Sequence, residues 1–199
     1  MQLCAITDRR QTPQPLLHLV EEWSNGGVHF IQLREKDLDP PALESLTRQV
    51  REKIKNAGTR LLVNISDPAS ASMALGASAH GVHLAGKPRP GSVGDLRRRL
   101  GEEMIISVPC HDLEDVRVAV AEGVDLILFS PVFEKFPASL THGPEGLRRA
   151  CVAGQNIPIF ALGGVTRANA SSCEDAGAAG IAGIRLFAGD EWRRLSPAT

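Results

Sequence analysis

In the segment VHFIQLREKD, residues 28–37, Val28, Phe30, Ile31 and Leu33 suit a buried strand, while Gln32, Arg34 and Lys36 suit an anion. A second group is FALGGV, residues 160–165, followed by Thr166. Paired glycines let a backbone come close to a ligand and offer its N–H groups to a phosphate. Arg185, in the last apolar run, could add a charge-assisted pair to that phosphate. The plainer reading of Gly163-Gly164 is a tight turn. Proton transfer has two candidates: His111, whose imidazole titrates near ~6.5 when unperturbed, and Glu134 with Lys135, which read equally as a loop charge pair. Asn64 closes the run RLLVN. His83, in GVHL, is expected to fix a strand end by hydrogen bonding, and His18, His29, His80 and His142 are expected in loops or on the surface.

Eight short apolar runs must carry these residues: 3–8, 28–34, 60–64, 81–85, 104–110, 125–133, 157–164 and 179–187. Several are almost continuously apolar, as strands buried on both faces are. Helical patterns lie between them. Leu16, Leu19, Val20 and Trp23 share one face before Asn25-Gly26-Gly27, and Leu43, Leu46, Val50 and Ile54 recur at spacings of three and four before Gly58. Segments 113–123, 143–154 and 166–177 also close on glycine. Strands alternating with helices indicate an α/β domain with a parallel sheet, and eight of them favour a compact (β/α)8 TIM barrel spanning 1–199. The tail DEWRRLSPAT leaves little for an eighth helix. In a barrel the C-terminal strand ends form the site. Here they carry Thr7, Asp8, Gln32, Arg34, Lys36, Asn64, His83, Lys87, Ser107, His111, Ser130 and Arg185, a polar and cationic ring.

The bulk properties narrow the partner. The 199 residues are 43% hydrophobic and 23% charged with net charge −1, which gives no reason to expect nucleic acid or a membrane surface. Two Trp, six Phe and no Tyr offer no stacking platform for single strands. No apolar run approaches the ~20 residues of a membrane span. Cys4, Cys110, Cys151 and Cys173 are scattered without a C-x-x-C pair, which favours free thiols in a reducing compartment. A cytoplasmic location is expected.

Taken in order, AITD, QLREKD, VN, GVHL, PVF and IPIFALGGV give the chain a resemblance to the thiamine phosphate synthase/TenI superfamily over residues 1–188. That resemblance implies a TIM barrel, usually a homodimer, binding a thiazole phosphate or its carboxylated form at Gly163, Gly164 and the end of strand eight. It also implies that Gln32, Arg34 and Lys36 face the diphosphate of a pyrimidine substrate, with Mg²⁺ assisting its departure. The chain departs from that pattern where the metal and diphosphate bind. Ile65 and Pro88 stand where the synthase has aspartate ligands, and Lys135, Pro137 and Ala138 stand in place of a Thr-x-Thr-Lys motif. Pro109 stands where a serine is expected. A hard cation needs oxygen ligands, and Ile and Pro supply none.

The TenI branch isomerises a thiazole carboxylate phosphate by proton transfer without metal, and the opening MQLCAITD and the VFE after strand six resemble it. Its histidine before Val-Phe is Pro131 here, so His111, Glu134 and Cys110 are the proton carriers to consider. Arg34 and Lys36 would then hold the carboxylate. Three readings follow: a metal-free thiazole tautomerase, a divergent synthase taking Mg²⁺ oxygens from Asp67 or Asp8, and a non-catalytic barrel that binds a phosphorylated metabolite or a partner protein.

Overall fold

A computed structural model describes residues 1–133 and 141–195. Eight parallel strands follow one another round a closed barrel: β1 (Gln2–Ile6), β2 (Phe30–Leu33), β3 (Arg60–Ile65), β4 (Gly81–Leu84), β5 (Ile105–Cys110), β6 (Leu126–Phe129), β7 (Ile159–Leu162) and β8 (Gly180–Gly183). Between them run α1 (Leu16–Asn25), α2 (Pro40–Lys53), α3 (Ala71–Gly76), α4 (Ser92–Leu100), α5 (Leu113–Glu122), α6 (Gly143–Gly154) and α7 (Ala170–Asp175). The expected (β/α)8 barrel is therefore the fold. Among the described residues no helix is long and apolar enough to cross a membrane.

Strand register sets what faces inward. Cys4 and Ile6 of β1, Leu62 of β3, Leu126 and Leu128 of β6, Phe160 of β7 and Ala182 of β8 form the inner core. Phe160 fills the middle of the barrel, edge-on to Phe30 at 5.6 Å between ring centroids. It fits because β8 offers Gly180 opposite: a Cβ there would lie 2.6 Å from both Phe160 Cε2 and the Gln2 carbonyl. Alternate residues face outward to the helices, among them Leu61, Val63 and Ile65 of β3 and Ile106, Val108 and Cys110 of β5.

Side chains and backbone caps set where the mouth loops turn into helices. Asp39 accepts the Ala42 N–H at 2.9 Å ahead of Pro40-Pro41, a favoured start for α2. Asp112 accepts the Asp115 N–H at 2.8 Å to open α5, and Gly123, at φ 72°, closes it.

The structure corrects several expected spans. The run 125–133 yields only Leu126–Phe129 as strand. The run 179–187 splits into β8 and a 3₁₀ turn, Arg185–Phe187, so Arg185 follows the strand instead of ending it. The eighth helix is replaced by a 3₁₀ turn, Glu191–Arg194, whose Trp192 stacks on Phe187 at 6.2 Å. Trp23 of α1 completes this seal by donating its indole N–H to the Phe187 carbonyl at 3.1 Å.

Candidate functional site

β7 and β8 end beside one another and form a cleft of about 620 Å³ lined by Gly163, Gly164, Val165, Thr166, Ile184 and Arg185, with Leu162 and Ala182 on its inner side and Gln11 and Glu191 at its edge. Gly163 and Gly164 have φ of 96° and 65°, a backbone region that side chains with a Cβ rarely adopt. Asn169 braces the loop: its side chain accepts the Thr166 N–H at 2.8 Å and donates to the Gly164 carbonyl at 3.0 Å. The N–H groups of Gly164 and Val165 donate to no protein acceptor among the described residues. The exposed Arg185 guanidinium has no carboxylate partner among them either. Free amides, a braced positive-φ turn and an unpaired cation together suit a phosphate monoester.

The segment after β2 divides its charges between structure and mouth. Glu35 is buried. It accepts the Thr7 hydroxyl at 2.6 Å, the Arg9 guanidinium at 2.9 Å and the Arg9 N–H at 3.2 Å, while Arg9 also pairs with Asp37 at 2.6 Å. Thr7 Oγ1 in turn accepts the Arg34 N–H at 2.9 Å and fixes the backbone from which Arg34 projects. Neither Arg34, half-buried, nor Lys36, exposed, has a carboxylate partner among the described residues.

Below these cations lies a neutral polar layer. Register puts Asn64 of β3, His83 of β4 and Ser107 of β5 side by side. Gln32 donates to Asn64 Oδ1 at 3.1 Å, and His83 Nδ1 lies 3.0 Å from Ser107 Oγ. Burial, and then the positive charge of Arg34, push the His83 imidazole down to about 3, so it is neutral at physiological pH. The sequence indicated a strand-end hydrogen bond for His83; its partner Ser107 and the His83 link to Arg34 are visible only in the fold.

The proton-carrier candidates separate. His111 follows β5 with its N–H donated to Asp115 Oδ2 at 2.8 Å and its Nδ1 2.8 Å from the Ser130 carbonyl. A carbonyl can only accept, so the neutral ring is protonated at Nδ1 and Nε2 holds the lone pair. Cys110, one residue earlier, faces outward with Ile106 and Val108, fully buried against the helices. Burial pushes its thiol up to about 12, with Asp115 and Asp112 adding to the effect. That removes Cys110 from the mouth. Glu134 lies outside the described residues, as do Lys135, Pro137 and Ala138. His29 and His80 lie in the loops that enter β2 and β4, as expected, and are half-buried there, their Nδ1 atoms accepting the N–H of Leu3 at 3.3 Å and of Leu61 at 2.9 Å.

A hard cation fits these residues poorly. Ile65 is buried toward the helices and Pro88 is buried as well, and neither carries a side-chain oxygen. Asp67 accepts the Ser70 N–H at 3.1 Å and the Ser70 hydroxyl at 3.0 Å, capping a 3₁₀ turn. Asp8 accepts from Gln11 and from the Arg10 N–H, interactions that help hold its carboxyl below the usual range against the opposing effect of burial. Among the described residues no three His, Cys, Asp or Glu side chains are grouped to hold a metal.

Fold and mouth define a (β/α)8 barrel protein whose polar, cationic end lies at the C-terminal ends of its strands. The chain belongs to the thiamine monophosphate synthase family, whose model matches residues 3–187. A relative from Geobacter sulfurreducens is 40% identical over 192 residues, covering 94% of this chain and 87% of its own length. A thiamine-phosphate synthase of Moorella thermoacetica is 34% identical over 187 residues, covering 92% and 86%. Among solved structures, a thiamine phosphate pyrophosphorylase from Pyrococcus furiosus superposes with a TM-score of 0.81 at 26% identity, covering 98% of this chain and 91% of its own.

Proposed function

We propose that the chain binds a thiazole carboxylate phosphate and catalyses its tautomerisation, a metal-free proton transfer in thiamine biosynthesis. One observation supports this reading: the β7–β8 cleft offers unpaired amides and the unpaired Arg185, while the residues at the expected metal positions, Ile65 and Pro88, offer no side-chain oxygen. In such an isomerisation one C–H proton is removed and another is returned elsewhere on the same molecule, so no co-substrate is consumed. His111 Nε2 acts as the base and then as the acid, with the tautomer held by the Nδ1–H bond to Ser130. Gly164, Val165 and Arg185 hold the phosphate, and Arg34 and Lys36 hold the carboxylate. The neutral Gln32–Asn64–His83–Ser107 layer lines the inner end. The superfamily's homodimer is part of the same reading, checked by sedimentation equilibrium.

The names of the relatives favour a second reading, coupling of a pyrimidine diphosphate to the thiazole phosphate. Incubating the protein with hydroxymethylpyrimidine diphosphate, thiazole phosphate and Mg²⁺, and quantifying thiamine phosphate by fluorescence after oxidation, separates the two. No product beside an active control, with turnover of the carboxylated thiazole phosphate followed by NMR, supports the tautomerase. Product above the uncatalysed level overturns it. No turnover in either assay leaves the binding barrel.

A further inference from the structure

Lys87 lies on the exposed loop after β4, next to Pro88, yet its ammonium reaches across to β5's exit. Its Nζ is 3.2 Å from Asp112 Oδ2 and 3.2 Å from Asp115 Oδ1. The two aspartates differ in setting: Asp115's side chain is only 8% exposed, Asp112's 48%. Asp115 spends its other oxygen, Oδ2, on the His111 N–H at 2.8 Å. Asp112 spends Oδ1 on the Asp115 N–H. One chain of contacts thus runs from the β4 loop through Lys87 and Asp115 to the backbone of His111, and the Ser130 carbonyl holds the same residue's ring from the far side.

We infer that Lys87 is a positioning residue for His111, a cation from the β4 loop that bridges the Asp112 and Asp115 carboxylates and through them orients the base. The inference rests on the tautomerase reading for its catalytic consequence and on geometry alone for its structural one. Two carboxylates at a helix start would repel one another and drift without a cation between them. The buried Asp115 carboxylate needs that charge most, since its own oxygens face the His111 amide and the ammonium and little water. A lysine on an exposed loop, its side chain 62% accessible, is otherwise poorly explained as a stabilising group, because surface pairs contribute little. The cation sits beside the position at which the family resemblance placed a metal carboxylate, now Pro88. The loop therefore brings a fixed charge of its own.

The test compares wild type, Lys87→Met and Lys87→Arg by two readouts. In Lys87→Met the His111 amide hydrogen should exchange about tenfold faster by NMR, the kcat for the thiazole carboxylate phosphate should fall about tenfold to a hundredfold, and KM should stay within about twofold, the scale seen for partners that orient a reactive group. Lys87→Arg should restore both. Unchanged exchange in Lys87→Met overturns the inference, and so does faster exchange with unchanged kcat. If wild type shows no turnover, the functional reading fails, and the exchange comparison decides alone: acceleration in Met with recovery in Arg supports positioning, and equal exchange overturns it.

Discussion

Gln32 and Asn64 are joined side chain to side chain across β2 and β3, the Gln32 amide donating to Asn64 Oδ1 at 3.1 Å, and this leaves the buried Gln32 carbonyl oxygen with no donor among the described residues. An unmet buried acceptor costs about 1–3 kcal/mol. Natural chains retain such a cost where a ligand supplies the missing donor. Gln32→Met keeps the volume and removes the orphan oxygen. Its midpoint in urea should rise, equivalent to as much as about 1 kcal/mol, while affinity for the thiazole ligand falls at least about tenfold. A variant that is less stable yet binds as well as wild type would mean the orphan is a defect of packing unrelated to the ligand.

Glu35 is where mouth and core are tied. Its carboxylate collects the Thr7 hydroxyl and both donor types of Arg9, and Thr7 then holds the Arg34 backbone. Removing it strands a buried hydroxyl and frees Arg9, whose own exposure softens the loss. Glu35→Ala should cost about 2–3 kcal/mol in urea denaturation and should weaken anion binding through Arg34, although residue 35 touches no ligand. Glu35→Gln, which keeps the hydroxyl contact, should fall between. Equal anion affinity in all three proteins would uncouple Glu35 from the mouth.

Residues 28–37 also show what the sequence could and could not reveal. The apolar run and the cations after it were legible, and so were the eight-strand alternation and the Gly163-Gly164 turn. Glu35 reads as one more solvated charge beside Arg34 and Lys36, because its partners Thr7 and Arg9 lie on another strand's exit. Cys110 shows a finer limit: β5 turns Ile105 and Ser107 inward and Ile106, Val108 and Cys110 outward, so its place depends on one residue of strand phase. The proline-containing run IISVPC hides that phase. The six-residue α3 is too short to show a helical period, and the Arg185–Phe187 turn continues the apolar run of the strand before it through Leu186 and Phe187. Long-range pairs such as His111 with Ser130 have no local signature at all.

Acid should destabilise the barrel through its buried histidines. The His83 imidazole is held down to about 3 in the folded protein against an ordinary 6.5 in the unfolded chain. Between those values the unfolded state binds one more proton, so stability is full above pH 6.5 and is lost as pH falls toward 3. The loss approaches about 1.4 kcal/mol per pH unit. His29 and His80, also lowered by burial and by neighbouring positive charge, act in the same direction. Urea denaturation at pH 7.5 and 5.0 should differ by about 2 kcal/mol from His83 alone. His83→Gln, which can still bond Ser107, should remove that part. An equal loss in the variant would assign the acid sensitivity to other groups.

The phosphate cleft makes its own demand, because backbone and side chain contribute separately to it. Arg185 offers a charge from an exposed 3₁₀ turn, and its removal leaves the turn's packing through Leu186 and Phe187 intact. Arg185→Ala should therefore weaken a phosphate monoester by about 1.5–3 kcal/mol, roughly tenfold to a hundredfold in Kd, with the melting temperature unchanged. Gly164 acts differently: at φ 65° a β-branched residue is strained, and a side chain would stand over the amides that face the cleft. Gly164→Val should lose the same ligand and also some stability, about 1–3 kcal/mol. Combined, the two changes should abolish phosphate-ester binding, measured by calorimetry with the thiazole phosphate, while circular dichroism still reports a folded barrel. Undiminished affinity in the double variant would place the phosphate away from β7 and β8, and the reacting carbon away from His111.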